Sequence, residues 1–552
     1  MFRNVESHFS KLPSLDIRRS VLRRPSTHKT SFDAGRLIPT YVDEILPGDS
    51  VRMTTSKVVR LQTLLTPIMD NVYLDFYWFF VPNRLIWEHW KEFCGENKDS
   101  AWIPEVQYSI PTISAPEGGF DVGTIADYMG LPVGVEWNAT DINSPSALPF
   151  RAYALICDEF FRDENLTAPL NYSIGDSNQT GSNGDDYIND VVNGGKPFKV
   201  AKYHDYFTSA LPSPQKGESV TFPLVSGSLA PVRTSSDSVY DGYSSLYGLS
   251  WRLLNNTAPS GEHYIGSQNG AATIHSGDSA VTGYITPSNL WADLSDSVGA
   301  VTVNELRLAF QLQKFYERAA RGGSRYTEFL KSQFGVTSPD GRLQRPEYLG
   351  GNRVAVQIHQ VTNSAQSEQD FLGDLGAMSV TADVHYDFEK SFTEHGYLIG
   401  LCCLRYDHTY TQGLERFWTR KNLTDFYLPV FANIGEQPIK NCEIYADAST
   451  MSEDSVFGYQ EAWADYRYKP NRCSGEMRPS APQSLASWHL ADNYSQLPVL
   501  SDSWIREDET NIDRVLAVTS SVSNQAFADF YFDCVHTRPM PVYSIPGLID
   551  HN

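Results

Sequence analysis

The chain has 552 residues, 41% of them hydrophobic and 12% aromatic, and a formal net charge of −22. That content can bury a large core, no run approaches the ~18 apolar residues of a membrane span, and the N-terminus lacks the apolar stretch and small-residue cleavage site of a secretory signal. The 7 cysteines are odd in number, scattered and free of CxxC or Cys/His spacing, which argues against a disulfide framework or a zinc site and for folding in a cytoplasm.

Charge is segregated along the chain. Residues 1–31 carry Arg3, Lys11, Arg18, Arg19, Arg23, Arg24 and Lys29 against Glu6 and Asp16, a balance of +5 that leaves −27 for the rest. A basic terminal arm on an acidic body suits a protein that holds nucleic acid on one side only. The seven cations, on a flexible segment, are candidates for sequence-independent phosphate contacts with a salt slope of roughly −0.7 each on single strands. Phe2 and Phe9 could stack on unpaired bases. Two other readings exist: docking of the arm on an acidic patch of a neighbouring subunit, and a mitochondrial transit peptide, whose helical pattern Pro13 and Pro25 interrupt.

The body begins with β-structure. Val51 to Leu61 is β-rich, and between Val72 and Val81 the residues Val72, Leu74, Phe76, Trp78 and Phe80 form one apolar face while the opposite face is nearly as apolar. That pattern predicts a central strand of a sandwich. Asn83 is placed to cap a helix carrying Ile86, Trp90 and Phe93. From Ser219 to Ala300, 31 of 82 residues are Gly, Ser or Thr, but Tyr240, Tyr243, Tyr247, Trp251, Tyr264, Tyr284 and Trp291 are interspersed. Disordered segments are poor in aromatics, so an ordered, turn-rich surface excursion is expected. Thr302 and Glu305 then stand in capping-box relation ahead of a helix that Gly322 and Gly323 end. A second short helix follows from Tyr326 to Gly335. Further β-rich stretches run over Val354 to Thr362, Ser379 to Phe388, Tyr397 to Tyr406 and Asp529 to Cys534. Their number and their Gly/Pro/Asn-rich connections favour an antiparallel sandwich or jelly roll over an alternating α/β fold.

Motifs of catalysis are missing: no dinucleotide fingerprint, Walker lysine loop, HExxH, EF-hand loop or nucleophile elbow occurs. Gly322 to Arg325 resembles a phosphate nest but closes a helix C-terminus, the wrong dipole end for an anion. His385, His395 and His408 have no metal-ligand spacing. The acidic cluster Asp502, Glu507, Asp508 and Glu509 reads as loop charge, with a structural Ca²⁺ as an alternative. No other cofactor is expected, and the chain does not read as an enzyme.

Long stretches of the sequence resemble the major capsid proteins of gokushoviruses, small single-stranded DNA phages of the Microviridae. They are Phe32 to Ser50, Thr63 to Glu96 (TLLTPIMDNVYLDFYWFFVPNRLIWEHWKEFCGE), Leu148 to Leu166, Glu305 to Val336, Arg345 to Gly351 and His536 to His551 (HTRPMPVYSIPGLIDH). The resemblance implies a mainly β protein, an eight-stranded antiparallel jelly-roll sandwich with very long loops containing short helices. It also implies a T=1 icosahedral shell of sixty copies around circular single-stranded DNA. On this reading residues 1–31 are a basic arm, 32–218 and 301–552 the two parts of the jelly roll, and 219–300 an insertion forming three-fold protrusions for host attachment. Receptor contacts would lie within Ser219 to Ala300, with no residue singled out. Expected partners are copies of the chain, the DNA genome, an internal scaffolding protein, a small DNA-binding protein and a host receptor, in a virion assembled in the bacterial cytoplasm without membrane insertion. A β-sandwich that binds or cleaves carbohydrate is the alternative, given the Trp- and Tyr-rich loops.

Overall fold

The computed structural model describes residues 18–98, 106–220, 303–364, 372–373 and 375–543, and between 232 and 292 the backbone of several strands. The chain divides into one unit of residues 1–216 and 317–552 and a second of residues 217–316.

The first unit is an antiparallel β-sandwich. Its long strands in chain order are β1 (Ser20–Arg23), β2 (Ser26–Phe32), β3 (Ile38–Ile45), β4 (Ser50–Leu61), β5 (Val72–Pro82), β6 (Glu347–Ala355), β7 (Thr381–Ser391), β8 (Gly396–Tyr406) and β9 (Ala526–Arg538). One sheet has the order β1-β9-β4-β7, with β2 also on β9, and the other the order β6-β5-β8-β3. β1 and β2 both pair with β9 and are parted at Arg24 and Pro25, since Pro25 has no N–H to give the ladder.

Side-chain alternation explains the layers. In β4, Val51, Met53, Thr55, Lys57, Val59 and Leu61 are buried while Arg52, Val58 and Arg60 are exposed, and β9 alternates in the same way from Ala526 to Cys534. This sheet has one solvated face. β5 and β8 are instead buried on both faces. Leu74, Phe76, Trp78 and Phe80 join Leu398, Cys402 and Leu404 in the core between the sheets. Phe79, Val81, Ile399, Leu401 and Cys403 pack into a second cluster built around helix α1 (Leu148–Ile156). The nearly continuous apolar run of β5 thus reflects a helical layer over the outer face of its sheet. Asp75, the one charge in that run, is 2% exposed and accepts hydrogen bonds from Arg353 Nε at 2.8 Å, Tyr203 Oη at 2.8 Å and Arg405 Nε at 3.1 Å. Burial would raise its pKa, but Arg405 and Arg353 outweigh burial and lower it.

Two local expectations are corrected. The helix foreseen from Asn83 is two single turns, Asn83–Ile86 and Trp90–Phe93, because Trp87 adopts extended backbone and buries its indole, donating to Asp176 Oδ1 at 2.7 Å. The stretch Val354 to Thr362 is not one strand: β6 ends at Ala355, and Ile358–Thr362 pairs with Leu375–Ser379 as a separate hairpin.

In the second unit the described strands nest. Val232–Thr234 pairs with Leu290–Ala292, Trp251–Leu254 with Tyr284–Pro287, and within these His263–Gln268, Ala271–Ser276 and Ser279–Val281 form a meander. Helix α2 (Val303–Gly322) leads out of this unit, and Gly323 follows in the left-handed region at φ +93°.

Candidate nucleic-acid interface

The structure gives the basic N-terminal segment an architecture that charge counting could not. Arg3 and Lys11 lie outside the described residues. Arg18 and Arg19 are exposed and precede β1. From Ser20 onward the segment is edge strand on β9, in register from Ser20 opposite Arg538 to Phe32 opposite Ala526. Its cations there meet carboxylates of the same chain. Arg23 makes a two-pronged contact with Asp533, both bonds 2.8 Å, and Lys29 Nζ lies 3.5 Å from Asp529 Oδ1. Arg24 Nη1 lies 2.5 Å from Asp43 Oδ2. Burial would raise the Asp43 pKa, but hydrogen bonds from His536 and Arg24 bring it down to about 2.

A second cationic feature was missed from the sequence. A cavity of 560 Å³ is lined by Arg416, Arg420, Arg467, Lys469, Arg472 and Arg478 against only Glu415, Glu443 and Asp465. Aromatic rings complete it: Tyr206 and Tyr468 stack with centroids 5.5 Å apart and planes 7° from parallel, and Phe417 lies 4.7 Å from Trp418. Arg420 sits 4.3 Å above the Tyr466 ring and Lys469 5.3 Å above Phe417. Burial holds the Glu443 carboxyl above its usual range against the pull of Arg416. Five of these cations already meet carboxylates, Arg416 with Glu443, Arg420 with Asp465, Arg467 with Glu461, and Lys469 and Arg472 with Glu415, so the cavity offers chiefly its ring faces, with stacking worth ~1–3 kcal/mol per base in proteins that bind single strands. The signal was present in the run Tyr466, Arg467, Tyr468, Lys469 and Arg472, where cations interleave with aromatics.

Other candidate groups are engaged within the chain. At the glycine turn after α2 the backbone N–H of Ser324 donates to Glu164 Oε1 at 2.6 Å and that of Arg325 to Glu328 Oε2 at 3.1 Å, so the turn holds carboxylates. His385 Nδ1 is 3.0 Å from Asp387, and the His395 ring packs edge-on against Trp90. His408 is buried between Asp492 and Glu507, with Nδ1 and Nε2 at 3.0 and 3.1 Å. Of the acidic cluster, Asp502 pairs with Arg506, and Glu509 with Lys199 and Arg36. Among the described residues no group of three or more His, Cys, Asp or Glu side chains is arranged to hold a metal ion.

A β-sandwich with long loops, a separate unit inserted between β5 and β6, and cationic surfaces in an acidic chain has the build of a structural shell subunit. Over residues 10–548 the chain matches the family described as Capsid protein (F protein), and it belongs to that family. It is 42% identical to capsid protein VP1 of Spiroplasma virus 4, 39% to that of Chlamydia phage 1 and 40% to that of Bdellovibrio phage phiMH2K, each match covering 99% of this chain and 98% of the relative. The resemblance to gokushovirus capsid proteins is therefore borne out. The chain is a capsid protein: a virion component that assembles with copies of itself, and a structural protein, not an enzyme.

Proposed function

We propose that the chain is the major subunit of a T=1 icosahedral shell of sixty copies enclosing circular single-stranded DNA, with the inserted unit raised as protrusions at the three-fold axes for host attachment. The observation that carries this reading is the extent of the likeness, which covers 99% of this chain and 98% of each relative. Exposed apolar side chains support it. Trp418, Leu423, Phe426 and Val430 stand out from one loop, the kind of surface that copies of a subunit bury against one another.

DNA contact falls to the cations ahead of β1, since Arg23, Arg24 and Lys29 are matched by Asp533, Asp43 and Asp529. Arg3, Lys11, Arg18 and Arg19 then supply phosphate contacts, and the cationic-aromatic cavity offers a second place for an unpaired base. Each contact is weak, and sixty copies facing one confined strand raise its effective concentration. An internal scaffolding protein, a small DNA-binding protein and a host receptor complete the proposed set of partners, and carboxylates facing each other across subunits would be the place for a structural Ca²⁺ in the assembled shell. Electron microscopy of the purified chain tests the shell: closed particles of roughly 3.7 MDa are expected from sixty chains of 61.9 kDa.

A further inference from the structure

Inside the sandwich, Lys57 of β4 is an anomaly: its side chain is 1% exposed and its ammonium lies 5.0 Å from the Phe76 ring centroid. A buried lysine is costly unless its surroundings use it. Asp383 of β7 is its cross-strand partner in register, with Oδ2 3.2 Å from Nζ. The third group comes from the other sheet. Asn352 of β6 is in register with Phe76, so its amide points into the same space, and its Oδ1 lies 2.5 Å from Lys57 Nζ. The Asn352 Nδ2 donates to the same Asp383 Oδ2 at 2.9 Å. One carboxylate oxygen thus touches both the amine and the nitrogen that would leave. With a C=O bond of ~1.23 Å, Nζ is no further than about 3.7 Å from the amide carbon Cγ, close to the separation of a near-attack arrangement.

From this geometry we propose that Lys57 and Asn352 form an intramolecular isopeptide bond that covalently joins the two sheets of the sandwich, with Asp383 as the proton carrier. The reaction consumes no other reagent. The Lys57 ammonium passes a proton to Asp383, and the neutral amine attacks Asn352 Cγ. The tetrahedral carbon collapses with cleavage of the Cγ–Nδ2 bond, while Asp383 delivers the protons lost by Nζ to Nδ2. One lysine ammonium and one carboxamide become one secondary amide and one ammonium ion, and Asp383 ends as the carboxylate it began.

The surroundings prepare the starting state: burial would raise the Asp383 pKa, but hydrogen bonding from Asn352 and the charge of Lys57 outweigh burial and keep Asp383 ionised, as the proton acceptor must begin. Burial lowers the Lys57 pKa against the attraction of Asp387 and Asp383, bringing the amine closer to its nucleophilic form. Asp387, whose side chain is 0% exposed, is engaged by Thr55 Oγ1 at 2.5 Å and His385 Nδ1 at 3.0 Å, whereas Asp383 touches both Lys57 and Asn352, which makes Asp383 the proton carrier. Phe76, Trp78 and Phe388 belong to the core beside the pair and Lys57 is almost wholly buried, while Asp383 keeps partial contact with solvent. A bond between positions 295 residues apart would close a loop that includes the whole inserted unit, so loads applied to that unit would be met by a covalent tie between β4 and β6.

Intact mass spectrometry of the full-length chain, denatured after purification in its folded state, tests the proposal. The expected mass is about 17 Da, one ammonia, below that of the sequence. Trypsin should fail to cut after Lys57 and should release one branched peptide containing Lys57 and Asn352. Asn352→Ala and Asp383→Asn should restore the full mass. A wild-type chain of full mass, cut normally after Lys57, overturns the proposal whether or not the variants fold, and a cross-link that still forms in Asp383→Asn overturns the role given to Asp383.

Discussion

His408 ties three distant parts of the loop layer together, its two ring nitrogens held by Asp492 and Glu507 while Asn511 and Tyr494 also donate to Asp492. Burial alone would lower its pKa, but the two carboxylates outweigh burial and raise it to about 10, and Asp492 is lowered in return. Because the folded pKa lies above the unfolded ~6.5, the stabilisation is complete below pH 6.5 and is lost as pH rises through 10. The thermal midpoint of the wild type should accordingly fall as pH rises from about 6.5 to 10, and His408→Gln should lower it already at pH 7 by the equivalent of roughly 3–5 kcal/mol. Asp43 acts in the opposite window: its depressed pKa stabilises the docked N-terminal strands above about pH 4 and ceases to do so as pH falls through 2. The arm's cations divide in the same residue-by-residue way. Arg18→Ser with Arg19→Ser should lower the DNA content of particles and flatten its salt dependence, whereas Arg23→Ser with Arg24→Ser should chiefly loosen β1 and β2 and leave DNA content closer to wild type. Equal loss of DNA in both pairs, measured by absorbance ratio of purified particles, would contradict that division. Neither partner set was legible in the sequence, since Arg23 and Asp533 stand 510 residues apart and His408 and Asp492 stand 84 apart.

Elements were legible where one local force decides them. The alternation of Val72 to Val81 gave β5, and the glycine pair after α2 gave its end, because pleat period and left-handed backbone act over a few residues. The split of Val354 to Thr362 was hidden, since both halves are β-rich and only their different partners, β5 and Leu375–Ser379, separate them. The basic segment looked unstructured for a related reason: β1 and β2 gain strand pairing from β9 at the far end of the chain, and their own composition is polar. The insertion is a different kind of element. Its strands pair with one another, from Val232–Thr234 with Leu290–Ala292 inward, so the ladder closes on itself. Replacing residues 219–300 with a short Gly/Ser linker is expected to leave assembly intact while abolishing adsorption to host cells. Loss of particles from a soluble, folded variant would make the insertion a structural part of the shell.

At the scale of the whole molecule, an acidic chain carries a basic N-terminal segment and one cavity lined by cations and aromatic rings, and its sandwich is surrounded by loops that expose apolar side chains. Those features make sense together when copies bury the loops against one another and one side of the assembly faces nucleic acid. The carbohydrate-binding alternative fitted the aromatic loops, but the likeness to capsid proteins over 99% of the chain displaces it. Sedimentation of the purified, folded chain, followed by imaging of what sediments, is the most direct test of the central claim. Closed icosahedral particles of roughly sixty copies are expected; a folded chain that remains a small oligomer under every assembly condition tried would contradict the shell.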